Sequence, residues 1–261
     1  MASIPDSHPR KRSLESRQRI VDGCSMGLLA DSAMIAHGRG EAFDYLLGER
    51  TTESAREAIR ESAARLRKAR SPVISVNGNT VVLAGDWAIR LAAVLGCPIE
   101  VNLYYRTPSR VKGLISLLEE RRSKVAEECA PEGFEGLWED SVQNVSLLGD
   151  SPNFKIEGLE GPRSNCTQEG IGEADTILVP LEDGDRCEAL TNLGKEVIVV
   201  DLNPLSRSAR MATVTIVDEV SRAFEEILSV LLNDPDNRPT EWDNSQSLRE
   251  SLREIGGNFS E

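Results

Sequence analysis

Between residues 51 and 70 the apolar side chains recur every three to four positions. In TTESAREAIRESAARLRKAR, Ala55, Ile59, Ala63 and Leu66 share one helical face, which predicts an amphipathic helix whose charged remainder is solvated. Residues 12–29 carry a weaker version of the pattern through Leu14, Ile20, Val21, Met26 and Leu29. After residue 71 the grammar changes to short, β-branched runs separated by helical stretches. PVISV (72–76), PIEVNLYY (98–105), DTILVP (175–180), EVIVVDLNP (196–204) and TVTIVD (213–218) are the predicted strands. Helices are expected over VVLAGDWAIRLAAVLG, over a segment opened by the cap Thr107-Pro108 and running to about residue 122, over a short stretch closing at Gly194, and over residues 219–232.

Strands alternating with helices predict an α/β fold, a Rossmann-like open and mostly parallel sheet with covering helices and an N-terminal helical segment. Continuous apolar runs such as VIVV fit strands buried on both faces. Three regions are expected: 1–70, a helical segment packed on the core; 71–232, the α/β core; and 233–261, an acidic polar tail, loosely attached. Residues 127–170, rich in Gly, Pro, Ser and Asn, are expected to form a loop-rich insertion in which NVSLLG could hold a strand. Residues 104 and 105 alternate across a strand in this reading, one of the two tyrosines facing the core.

Composition narrows the function. The formal net charge is -13, and only six of the thirty basic residues are lysine. Many acids and few lysines fit a protein adapted to concentrated salt, where the Debye length falls to about 3 Å at 1 M. No broad basic face is evident, so a nucleic-acid partner is not expected. No apolar run approaches the roughly 20 residues that span a bilayer, and MASIPDSHPRKRS lacks the apolar core of a secretory signal. No membrane partner is expected, and the chain reads as cytoplasmic. Five scattered cysteines without a CxxC pair, and only His8 and His37, argue against a disulfide framework or a zinc centre.

In open α/β sheets ligands bind outside the carboxyl ends of the strands. Unusual polar residues stand there in four places: Asn77-Gly78-Asn79-Thr80, Asn102 with Arg106, the run Glu182 to Arg186 (EDGDR), and Asp201-Leu202-Asn203. NGNT offers free N–H groups and a helix dipole to an anion, although Asn-Gly is also ordinary turn chemistry. EDGDR could hold a metal or a ribose, or be one more acidic loop. Asp201 could accept from ribose hydroxyls, or cap its own turn through Asn203 or Ser206. Arg39, set between two glycines, Arg106 and Arg186 can bind oxyanions bidentately. His37 is a candidate acid or base with no visible partner. GxxxxGK[ST] and strand-linked GxGxxG motifs are both missing. The residues alone indicate an α/β protein binding a phosphorylated anion such as a nucleotide.

IPDSHPRKRSLESR, IAHGRGEAFDYLLGE, PVISVNGNT, EVNLYYRT, ILVPLEDGDRCEAL and VIVVDLNPLSRSARMA occur in one order over most of residues 4–232. Together they resemble the archaeal-type phosphopantothenate synthetases, the 4-phosphopantoate–β-alanine ligases, with residues 127–170 and the tail outside the likeness. The resemblance implies an ATP-dependent, AMP-forming ligase of coenzyme A biosynthesis acting through a phosphopantoyl adenylate, with Mg2+, in a homodimer. It implies nucleotide contacts for Arg17, Arg39, Asp183, Gly184, Asp185, Arg186, Glu188, Asp201, Leu202 and Asn203, with Arg39 and Arg186 catalytic. Asn77, Asn79, Thr80, Asn102, Tyr104 and Arg106 would meet phosphopantoate, and Asp183 and Asp185 would be the metal ligands. The rival readings are a non-catalytic nucleotide-binding regulator and an ADP-forming phosphoacid kinase.

Overall fold

The computed structural model describes residues 4–180 and 183–257. Three helices come first: α1 (Lys11–Ser25), α2 (Ser32–Leu46) and α3 (Glu53–Lys68). Then follow β1 (Pro72–Val76), α4 (Gly78–Leu95), β2 (Ile99–Val101), α5 (Pro108–Ala126), α6 (Trp138–Gln143) and β3 (Leu147–Leu148). A small antiparallel pair, β4 (Phe154–Lys155) and β5 (Asn165–Cys166), precedes β6 (Thr176–Pro180), α7 (Gly184–Asn192) and β7 (Glu196–Val200). The chain continues through α8 (Arg207–Met211), β8 (Val214–Ile216), α9 (Val220–Asn233) and α10 (Asn244–Gly257).

Six strands form one sheet in the order β3-β2-β1-β6-β7-β8, every pairing parallel. Register sets Ile99, Ile74, Leu178, Ile198 and Val214 in a row across one face. That row is fully buried under α3, α4, α5 and α9. The alternate positions Val73, Ile177 and Val197 face the other side, against Cys187 and Leu190 of α7 and Ile156 and Ile171 of the irregular segment. Each such side chain contributes about 1.5–3 kcal/mol when removed from water. The four predicted inward positions of α3 are all buried, and Thr52 caps that helix by accepting from the Ala55 N–H at 3.3 Å. Among the described residues α4 is the one helix long and apolar enough to cross a membrane, and 72% of it is buried in the core.

α2 runs straight through Gly38, Arg39 and Gly40. Three local expectations need revision. β2 stops at Val101, so Tyr104 and Tyr105 lie beyond it, both 56% exposed and packed edge to face. Residues 127–170 do supply a strand from NVSLLG, β3, but they also place Trp138 and Val142 in the main core. The tail docks rather than hanging loose. Leu248 is buried, Ser54 Oγ and Ser251 Oγ meet at 2.9 Å, and the Asn244 side chain accepts the Thr215 N–H of edge strand β8 at 2.8 Å. An edge N–H left without an acceptor is costly, which gives the tail a reason to be held.

Candidate active site

The strand order reverses between β1 and β6, and a crevice opens at their carboxyl ends, where such sheets bind ligands. Asn77 stands at the reversal. Its Oδ1 accepts the Thr80 N–H (3.0 Å) and hydroxyl (3.1 Å), capping α4, while its Nδ2 donates to the Pro180 carbonyl across the crevice at 3.4 Å. Thr80 is fully buried in that cap. Gly78 and Asn79, in the first turn of α4, line a cleft of about 310 Å³. A helix start presents N–H groups and a partial positive charge to an anion.

Two arginines reinforce that end. Arg110 Nη2 lies 3.8 Å from where a Cβ on Gly78 would sit, and Arg110 is steadied by the carbonyls of Leu28 (3.3 Å) and Tyr105. Arg163 lines the cleft from the irregular segment. Asn102, 1% exposed, holds that segment by donating to the carbonyls of Arg163 (3.3 Å) and Asn165 (3.0 Å). Beneath it, Glu100 accepts the N–H groups of Thr167 and Ile171, both at 2.8 Å, with burial raising its carboxyl above the ordinary range.

Another set of lining side chains offers acceptors, His37, Glu41 and Asp44 on α2 and Glu219 at the head of α9, among which Arg222 is ion-paired with Asp44 and Arg12 with Glu225. Burial holds the His37 imidazole below its ordinary pKa, so it is neutral at pH 7. Its Nε2 is buried and has no hydrogen-bond partner. Glu219 uses Oε2 to cap α9, accepting the N–H groups of Ser221 (3.0 Å) and Arg222 (3.1 Å), and its Oε1 is buried without a partner.

The remaining sequence candidates are distributed unevenly. Asn77, Asn79, Tyr104, Asp183 and Leu202 line the cleft. Asp185 and Glu188 line an adjoining depression of about 550 Å³ that shares Tyr104, Arg163 and Asp183 with it. Both carboxylates are ion-paired with Arg207, whose side chain also packs over Gly184. Asp183 caps α7 through Asp185 N–H at 3.2 Å, and Glu182 lies outside the described residues. Arg186 is fully buried, donating to Ser75 Oγ of β1 at 2.9 Å. Asp201 takes the turn-capping alternative: it accepts from Asn203 N–H (2.9 Å) and Ser206 Oγ (2.5 Å), and burial raises its carboxyl. Asn203 in turn accepts Leu205 N–H at 3.0 Å. Arg106 donates to the Gly149 carbonyl. Arg17 pairs with Glu41 at 2.7 Å, and Arg39 is exposed on α2, where its charge reaches Asp201. Among the described residues no three His, Cys, Asp or Glu side chains converge to hold a metal. These side chains alone therefore do not form a magnesium cage.

A family model described as phosphopantothenate/pantothenate synthetase matches residues 54–258. The chain belongs to that family. The match takes in both residues 127–170 and nearly all of the tail, so neither stands outside the likeness. Proteins named 4-phosphopantoate–β-alanine ligase from Thermococcus onnurineus and Thermococcus kodakarensis are each 44% identical to it, over 98% of this chain and 93% of theirs. One from Methanosarcina mazei is 42% identical over 98% of this chain and 95% of its own. Of the residues lining the cleft, Arg110, Arg163 and Glu219 went unnoticed in the sequence. Only Arg110 carried a signal, as an arginine in the first turn of a capped helix following a strand.

Proposed function

We propose that this synthetase joins 4-phosphopantoate to β-alanine, consuming ATP and releasing AMP and pyrophosphate through a phosphopantoyl adenylate. The observation that carries the reading is one cleft at the β1/β6 reversal, lined by the α4 N-terminus with Arg110 and Arg163 and also by a group of acceptors. Near-full-length kinship to ligases of that name supports the substrates. Anionic phosphate suits the donor side, and an amine suits the acceptors. The start of α7 from Asp183 to Glu188 and the Asp201–Asn203 turn, with Arg39 beside it, are the surfaces we assign to the nucleotide. Catalysis then consists mainly of holding the carboxylate in line with the α-phosphate, stabilising charge and keeping water from the acyl adenylate. Magnesium would travel with the nucleotide phosphates, since Mg2+ commonly takes only one or two protein carboxylates.

We also infer a homodimer, because α2 exposes Met34 (45%), Ile35 (67%) and Tyr45 (63%) on its outer surface. The acid-rich, lysine-poor composition supports a cytoplasmic enzyme working in concentrated salt. Nucleotide analysis at molar salt tests the function: AMP should appear only when ATP, Mg2+, 4-phosphopantoate and β-alanine are all present. ADP would indicate a kinase, and ATP binding without turnover a regulator.

A further inference from the structure

The acceptor side of the cleft has a chemical peculiarity that the phosphate side does not explain. His37 Nε2 and Glu219 Oε1 are both buried, both belong to cleft-lining side chains, and neither has a hydrogen-bond partner. A buried polar atom left in this way is costly, and functional sites are where such a cost is tolerated. Glu219 cannot easily turn away, because its other oxygen is fixed by two N–H groups at the start of α9. With its proton on Nδ1, a neutral His37 presents a lone pair at Nε2. Both orphan atoms then accept and neither donates. Arg12 and Arg222 also line the cleft, but each is already ion-paired, Arg12 with Glu225 at 2.9 Å and Arg222 with Asp44 and Asp218. The two orphan acceptors call for a donor, and an ammonium group has hydrogens for both.

We propose that His37 and Glu219 form the amine subsite, Glu219 binding the β-alanine ammonium and His37 Nε2 removing the proton that releases its lone pair. This assignment rests on the ligase reading given above. The ammonium gives one proton to Nε2. The freed lone pair forms the C–N bond at the acyl carbon, the bond from that carbon to the AMP oxygen breaks with its electrons staying on AMP, and the second surplus proton leaves to water. The charged groups facing His37 are Glu41 on its own helix, Glu219 on α9, and Arg17 and Arg19 on α1. Burial outweighs the two carboxylates and keeps the base unprotonated at neutral pH.

The two half-reactions separate the claims. Exchange of labelled pyrophosphate into ATP, with 4-phosphopantoate and without β-alanine, reads adenylate formation alone. The His37→Gln variant should retain this exchange and lose amide formation with β-alanine by about 100-fold or more, the usual scale of a general base. Hydroxylamine, which is largely unprotonated at neutral pH, should restore capture of the acyl group to near the wild-type rate. Glu219→Gln should raise KM for β-alanine about tenfold and leave KM for 4-phosphopantoate in place. Wild-type amide formation by His37→Gln would overturn the proposal, as would loss of the exchange itself, which would move His37 to the activation step. Absence of exchange in the wild-type protein would instead defeat the adenylate reading beneath it.

Discussion

Arg222 lies between two acids and offers a stringent test of how the cleft is held. Its guanidinium meets Asp218 (Nε to Oδ1, 2.9 Å) and Asp44 (Nη1 to Oδ2, 3.2 Å), and Thr51 Oγ1 donates to Asp218 Oδ2 at 2.7 Å. The side chains of Arg222, Asp44 and Asp218 are only 12%, 6% and 0% exposed, so solvent screens the group weakly. Three elements meet there: α2, the end of β8 and α9. Arg222→Ala leaves two buried carboxylates without their cation, a change that typically costs about 3–5 kcal/mol. For a chain of this size that is roughly 6–20 °C in Tm, at about 2–4 °C per kcal/mol.

The pH dependence supplies the sign. Burial already raises the carboxyls of Asp44 and Asp218, and Arg222 opposes that rise. A raised carboxyl favours the fold most below its unfolded pKa and loses that contribution as pH rises through the folded value. Removing Arg222 raises both further, so the variant should lose stability with rising pH more steeply than the wild type. Urea melts at pH 5 and pH 8 should show the larger deficit at pH 8. An equal deficit at both, or one below about 1 kcal/mol, would refute the reasoning.

Burial pushes the thiols of Cys97 and Cys166 up to about 12, while Cys129 is exposed. A thiol reagent at pH 8 should therefore modify Cys129 first in the native protein and reach Cys97 and Cys166 only after unfolding, as peptide mass mapping would record. Gly149 has φ +118, and a Cβ there would lie 2.3 Å from the Val101 carbonyl oxygen. Gly149→Ala should cost at least the ~1–3 kcal/mol of a strained backbone, read as a fall in the urea midpoint. Arg39→Ala, altering an exposed side chain, should leave Tm within a degree or two yet raise KM for ATP or lower kcat about tenfold; unchanged kinetics would remove Arg39 from the nucleotide site.

The strands were legible because β-branched runs buried on both faces leave an unbroken apolar signature. The helix through Arg39 was not legible, because two glycines cost a helix about 1 kcal/mol each. Tertiary packing overrides that cost: Phe43 and Leu47 meet Leu202 in a small cluster, and a Cβ on Gly40 would sit 3.4 Å from Leu202 Cδ1. Arg163 was hidden in a segment whose strands are two residues long, too short to show a period. The convergence of His37 and Glu219 on one cleft has no sequence signature, since α2 and the start of α9 lie far apart in the chain and meet only in the fold. Asp201 was readable as a ribose contact or as a cap of its own turn, and the cap is present.

The central claim is that one cleft activates a carboxylate as its adenylate and passes the acyl group to an amine. Oxygen-18 in the carboxylate of 4-phosphopantoate tests it most directly, with the products read by mass spectrometry after a single turnover. The account predicts one labelled oxygen in AMP and the other retained in the amide. Label in inorganic phosphate alongside ADP, or AMP free of label, would contradict it.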